Sequence, residues 1–110
     1  MAKYERTFSG DFDSALARLH NEIMSGSMSA SLEDSTYYSV GDVRCALRVY
    51  ERYSVIGNNR LSCSVMMTGK GNTLKVTAIT SGGSQAVFFK INTFGEDAFL
   101  DKVRAAVDSL

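Results

Sequence analysis

Between Asp42 and Ile56 the chain reads DVRCALRVYERYSVI, and it alternates. Val43, Cys45, Leu47, Val49, Tyr53 and Val55 share one side, broken only by Glu51. Arg44, Arg48, Tyr50 and Arg52 share the other. Successive side chains of a strand point to opposite faces, so a period of two predicts one long strand. Its apolar side is expected to meet the core, and its arginine side to lie on an outer sheet face.

The other segments predict what this strand pairs with. Tyr4, Arg6 and Phe8 alternate with charged or polar neighbours, which predicts a first strand over 3–9. Asp11 is a suitable N-cap, and Phe12, Leu16, Leu19 and Ile23 make one apolar stripe of a helix over 11–25. SMSASLED predicts a second strand with Met28, Ala30 and Leu32 inward, and Ser35 to Gly41 then reads as a connection. Gly57-Asn58-Asn59 and Gly69-Lys70-Gly71-Asn72 are turn signals. Between and after them lie strands with Leu61, Cys63, Val65 and Met67 inward, then Leu74, Val76 and Ala78 inward. Ala86 to Ile91 reads as a further short strand. Thr93 to Glu96 fits a capping box for a final helix over 95–109.

The expected fold is therefore α+β and two-layered. An antiparallel sheet of five or six strands carries two helices on one face, in the order β-α-β4/5-α. This connectivity resembles that of TATA-binding-protein-like and helix-grip domains, a likeness of topology that implies no function.

At 110 residues the chain is expected to form a single α+β domain over 1–110. An apolar share of 45% and a charged share of 22% are ordinary for a globular protein. Twelve basic and twelve acidic residues cancel, which argues against nucleic acid and against an electrostatic membrane anchor. No apolar run is long enough to span a bilayer, and the start lacks a leader-like apolar region. The expectation is a cytoplasmic protein. The hairpin register expected from Gly57–Asn59 sets Cys63 opposite Tyr53 to Val55, far from Cys45. Two free, buried thiols are predicted.

Most catalytic chemistry lacks its residues. His20 is the sole histidine, so no histidine cluster can hold a metal, and no cofactor motif is present. Acid–base work by His20, Tyr50 or Glu51 would need a deep pocket joining two of them. The balance leans away from an enzyme.

Two features could carry function. The first is the outer sheet face, expected to collect Ser29, Ser31, Glu33, Arg44, Arg48, Tyr50, Arg52, Ser62, Ser64, Met66, Lys75, Thr77 and Ile79. Such a face could cradle a small anionic ligand, because guanidinium pairs bidentately with carboxylate or phosphate. It could equally serve as a self-complementary homodimer face. The second is the loop Ser81-Gly82-Gly83-Ser84, whose amides could form an anion-binding nest. The expected binding residues are Arg44, Arg48, Tyr50 and Arg52 with Ser81, Gly82, Gly83 and Ser84.

Two stretches, GDVRCALRVYERYS (Gly41–Ser54) and ITSGGSQAVFFKINTFGEDAFL (Ile79–Leu100), carry a further likeness, together with YERTFSGDFD and SASLED. Across nearly its whole length the chain resembles a family of small uncharacterised bacterial proteins known as a domain of unknown function. That resemblance implies a stand-alone cytosolic protein and assigns no ligand, activity or residue role.

Overall fold

The computed structural model describes residues 2–26, 30–54, 59–82 and 100–110. Strand β1 (Ala2–Ser9) leads into helix α1 (Phe12–Gly26). Strands β2 (Ser31–Val40), β3 (Val43–Ser54), β4 (Asn59–Lys70) and β5 (Thr73–Gly82) follow as a meander. A second helix, α2, is described over 100–108. The sheet has five strands in the order β1-β5-β4-β3-β2, and all its pairs are antiparallel. The predicted strand over Ala86–Ile91, the capping box at Thr93–Glu96 and the first residues of the final helix lie outside the described residues.

α1 starts where its cap dictates. The Asp11 side chain accepts the Ser14 amide at 3.0 Å, and that hydrogen bond holds its carboxyl below the usual range. The expected stripe of Phe12, Leu16, Leu19 and Ile23 is buried, joined by Ala15. It packs on the same sheet face as Leu100, Val103, Ala106 and Val107 of α2. Both helices thus cover one side. β1 is tied to α2 by the Tyr4 hydroxyl on Asp108 at 2.6 Å and by Arg6 on the Val107 carbonyl at 2.9 Å.

Two hairpins turn through two residues each, with Gly41 at φ 62° and Gly71 at φ 59° in the left-handed region that favours glycine. Gly69 is needed for a different reason. A Cβ there would stand 2.7 Å from Phe12 Cδ2 and 2.8 Å from Leu74 Cδ2, so α1 rests on bare backbone.

The β3–β4 register corrects the sequence-based one. Ser54 pairs with Asn59, and Tyr50 rather than Tyr53–Val55 pairs with Cys63. Asn59, expected in the turn, already belongs to β4. The change is decisive because a shift by an odd number of residues exchanges the faces of a strand. Leu61, Cys63, Val65 and Met67 of β4 face the helices as expected, opposite Leu74, Val76, Ala78 and Thr80 of β5. The β3 residues in line with them are Ala46 and Tyr50, both buried. Arg44, Arg48 and Arg52 therefore lie on the helix-covered face, and Val43, Cys45, Leu47 and Val49 on the open one.

A second correction concerns β2. The stretch read as a connection after Ser35 is strand through Val40, with a bulge between Leu32 and Asp34. β2 is an edge strand exposed along nearly its whole length, so it has no buried side to imprint an apolar period. The third correction concerns Cys45. It is half-buried on the open face, while Cys63 is fully buried on the other, and both are free thiols. Met28 and Ser29 lie outside the described residues.

Candidate functional site

The expected binding residues divide between two faces. Arg44, Arg48, Tyr50 and Arg52 form one column of β3 on the helix side, while Ser81 pairs in register with Ser62 on the open side. Ser62 and Ser81 hydrogen-bond to each other at 2.8 Å. Gly82 lies opposite Leu61, two strands from Arg52 in the same row. Gly83 and Ser84 lie outside the described residues. Of the expected open face, Ser62, Ser64, Met66, Lys75, Thr77 and Ile79 are in place, as is Ser31 opposite Glu51. Glu33 sits at the β2 bulge, where it accepts a hydrogen bond from Ser31.

On the helix side each arginine has its own surroundings. Arg44 pairs with Asp13 of α1 at 2.6 Å and donates to the Tyr37 hydroxyl of β2. Its guanidinium lies 4.5 Å from the centre of the Phe12 ring and 5.5 Å from that of Tyr37. It is a strut between α1 and β2. Arg48 makes no ion pair with a carboxylate among the described residues. It lies two residues from Tyr50 on the same face of β3, and its charge acts on both the Tyr50 hydroxyl and His20.

Tyr50 is 1% exposed, and its hydroxyl lies 2.9 Å from His20 Nδ1. The contact engages Nδ1 of the ring, and which of the two atoms donates depends on the histidine tautomer. Burial and then the Arg48 charge push the His20 pKa down, which favours the neutral ring. Burial also raises the Tyr50 hydroxyl. Two of the three acid–base candidates thus meet, while Glu51 sits on the opposite face beside Arg60 at 3.1 Å. Cys63, next to Tyr50, has its thiol pushed up to about 12 by burial, so it is inert.

The open face carries what the sequence pattern had assigned to the core. Leu47 and Met66 are in direct register, and Val49, Ser64 and Ile79 make the next row. Leu47, Met66 and Ile79 remain 37%, 39% and 38% exposed. Tyr38, Cys45 and Val43 extend the apolar strip toward the β2–β3 turn. A dent of about 130 Å³ at the β2 bulge is lined by Asp34, Ser35, Thr36, Leu47 and Val49. Charges of both signs surround the strip. Lys75 pairs with Glu5 at 3.7 Å, Arg60 with Glu51, and Lys70 with Asp42 at 3.9 Å.

This architecture has known counterparts. A family profile for a family of unknown function (DUF6054) matches residues 1–110. The chain belongs to this family. No curated protein matches its sequence. Among solved structures, a crystal structure of PA94, a protein of unknown function from Pseudomonas aeruginosa, is similar with a TM-score of 0.55 and 10% identity. The likeness covers 89% of this chain and 81% of that one, and it concerns the fold alone. Among the described residues no helix is long and apolar enough to cross a membrane, and no group of acidic, histidine and cysteine residues could hold a metal ion.

Proposed function

We propose that this DUF6054 member is a non-enzymatic interaction module that closes its open sheet face on a second copy of itself. One observation carries this: the apolar side of β3, with Met66 and Ile79, lies on the face that no described helix covers. A contiguous apolar patch on a polar-rimmed surface marks an interaction site. Its size suits the role. Five strands about 4.8 Å apart and about ten residues long give a face of roughly 24 by 33 Å. That is close to the ~800 Å² each partner contributes to a standard interface.

The rim favours a like partner. Lys3, Lys70, Lys75 and Arg60 are balanced by Glu5, Asp34, Asp42 and Glu51, so neither sign dominates. A partner of strong charge would gain little from such a rim, whereas a two-fold copy can set each sign against its opposite. Sheets packed face to face at ~10 Å would interdigitate Leu47, Val49, Met66 and Ile79.

Sedimentation equilibrium of the untagged chain tests this. Wild type is expected to be a dimer. Met66→Lys occurs twice in a two-fold interface and weakens it about a hundredfold, at roughly tenfold per copy. Arg48→Gln, on the opposite face, leaves association unchanged. A wild-type chain that stays monomeric at high concentration defeats the proposal.

A further inference from the structure

The helix-side margin of the sheet gathers Arg48, Tyr50 and His20 away from the open face. α1 covers β3 only along its inner flank, and β2 beyond it stays exposed. At this margin Arg48 lacks a carboxylate partner among the described residues, and Tyr50 engages Nδ1 of His20, which leaves Nε2 as the ring nitrogen turned away from that contact. Ser35 of β2 lies directly opposite Arg48, with its side chain exposed. Leu32, opposite Tyr50, supplies an exposed apolar wall. Arg44, one turn of the face away, is engaged by Asp13 and Tyr37 and is not the receptor.

We propose that the sheet margin between α1 and β2 binds a small oxyanion, a carboxylate or phosphate group, held between the guanidinium of Arg48 and Nε2 of His20. The arrangement is preorganised. Tyr50 is locked in the core, so its hydroxyl holds the histidine ring at Nδ1 without added ordering. Guanidinium offers two parallel donors that match an oxyanion edge, and the imidazole N–H supplies a third. The ligand's charge answers a cation that the described part of the fold leaves without a carboxylate.

His20 is the sole histidine, so its ring signals in an NMR spectrum are unambiguous. The untagged full chain is titrated with inorganic phosphate, and separately with acetate, at constant ionic strength held by chloride. The expected result is a saturable shift of the His20 ring signals. Its midpoint moves up about tenfold or more in Arg48→Gln, as loss of a charge-assisted pair requires. Arg60→Gln, on the open face, leaves it unchanged. A response to phosphate but not acetate assigns the site to phosphate groups, and the reverse assigns it to carboxylates. No saturable shift with either, or equal responses in the Arg48 and Arg60 variants, overturns the proposal. Should Arg48→Gln fail to fold, Arg48→Lys keeps the charge without the fork and is expected to bind severalfold more weakly; binding equal to wild type then overturns it.

Discussion

Thiol chemistry reads the parity of β3 directly. The chain has two cysteines, both free, on opposite faces of the sheet. Cys63 has no exposed surface, and burial pushes its thiol from an ordinary 9.0 up to about 12. Near pH 8 that alone cuts its reactive thiolate about a thousandfold. A reagent also reaches it only when helices and sheet part, an opening that costs up to the whole folding free energy, typically about 5–15 kcal/mol. Cys45 sits half-buried on the open face and needs no such opening. In the monomeric variant Met66→Lys, a chromogenic disulfide reagent should modify one thiol promptly and the second only with denaturant. Peptide mapping should place the fast label on Cys45, and Cys45→Ser should abolish the fast phase. In wild type the fast phase should slow as protein concentration rises, because in the proposed dimer the second copy would cover Cys45. Cys63 labelling as fast as Cys45 would refute the β3–β4 register and, with it, both assigned faces.

Two further outcomes follow from the packing and the charges. Gly69→Ala places a methyl group against Phe12 and Leu74, and should lower stability by about 1–3 kcal/mol in urea unfolding; an unchanged midpoint would mean that α1 does not rest on β4 there. His20 has a folded pKa below its unfolded value, so its contribution is complete above the unfolded pKa of about 6.5 and shrinks as pH falls below it. Thermal unfolding midpoints should therefore fall between neutral pH and pH 5 less steeply in His20→Gln than in wild type, and equal slopes would contradict the buried His20–Tyr50 contact.

How much of this was legible in the sequence depends on which segments had a buried side to imprint. α1 was readable because its cap and its four-residue stripe answer to one covered face, and β4 and β5 because each alternates with only one side apolar. β2 was readable only at its start, where SASLED alternates; from Ser35 on, an edge strand exposed on both faces leaves no period, and the tyrosines and threonine in STYYSV were the remaining strand signal. β3 was recognised as a strand but assigned the wrong way round. Its odd side is the more apolar by composition, yet Ala46 and Tyr50 on the even side are the residues that reach the core. Strand length and alternation cannot set the parity between neighbours. That is fixed by where one strand ends and the next begins, here Ser54 and Asn59. The arginine column survived as a column, whereas its union with Ser81 did not, because the same parity sends the two to opposite faces. The His20–Tyr50 pair could not be read at all, since it needs both the helix placement and the corrected register.

The parity of β3 also explains why apolar residues are spent on a surface. If solubility alone shaped the open face, its outward positions on β3 would be the cheapest places for charge, and the strand would read apolar on one side only. Instead Val43, Cys45, Leu47 and Val49 face outward while three arginines are set on the helix-covered side of the strand. An exposed flat strip of this kind invites aggregation unless something covers it. The surrounding charges come in matched pairs, and a formal net charge of zero gives little repulsion between copies. A chain built to stay apart from its own kind would carry the reverse of both features. Exchanging the strip for charge should therefore improve solubility at high concentration while abolishing the dimer, and Met66→Lys with Ile79→Glu is the pair to make. If those substitutions instead cost stability in the monomer, the strip serves the fold rather than a partner.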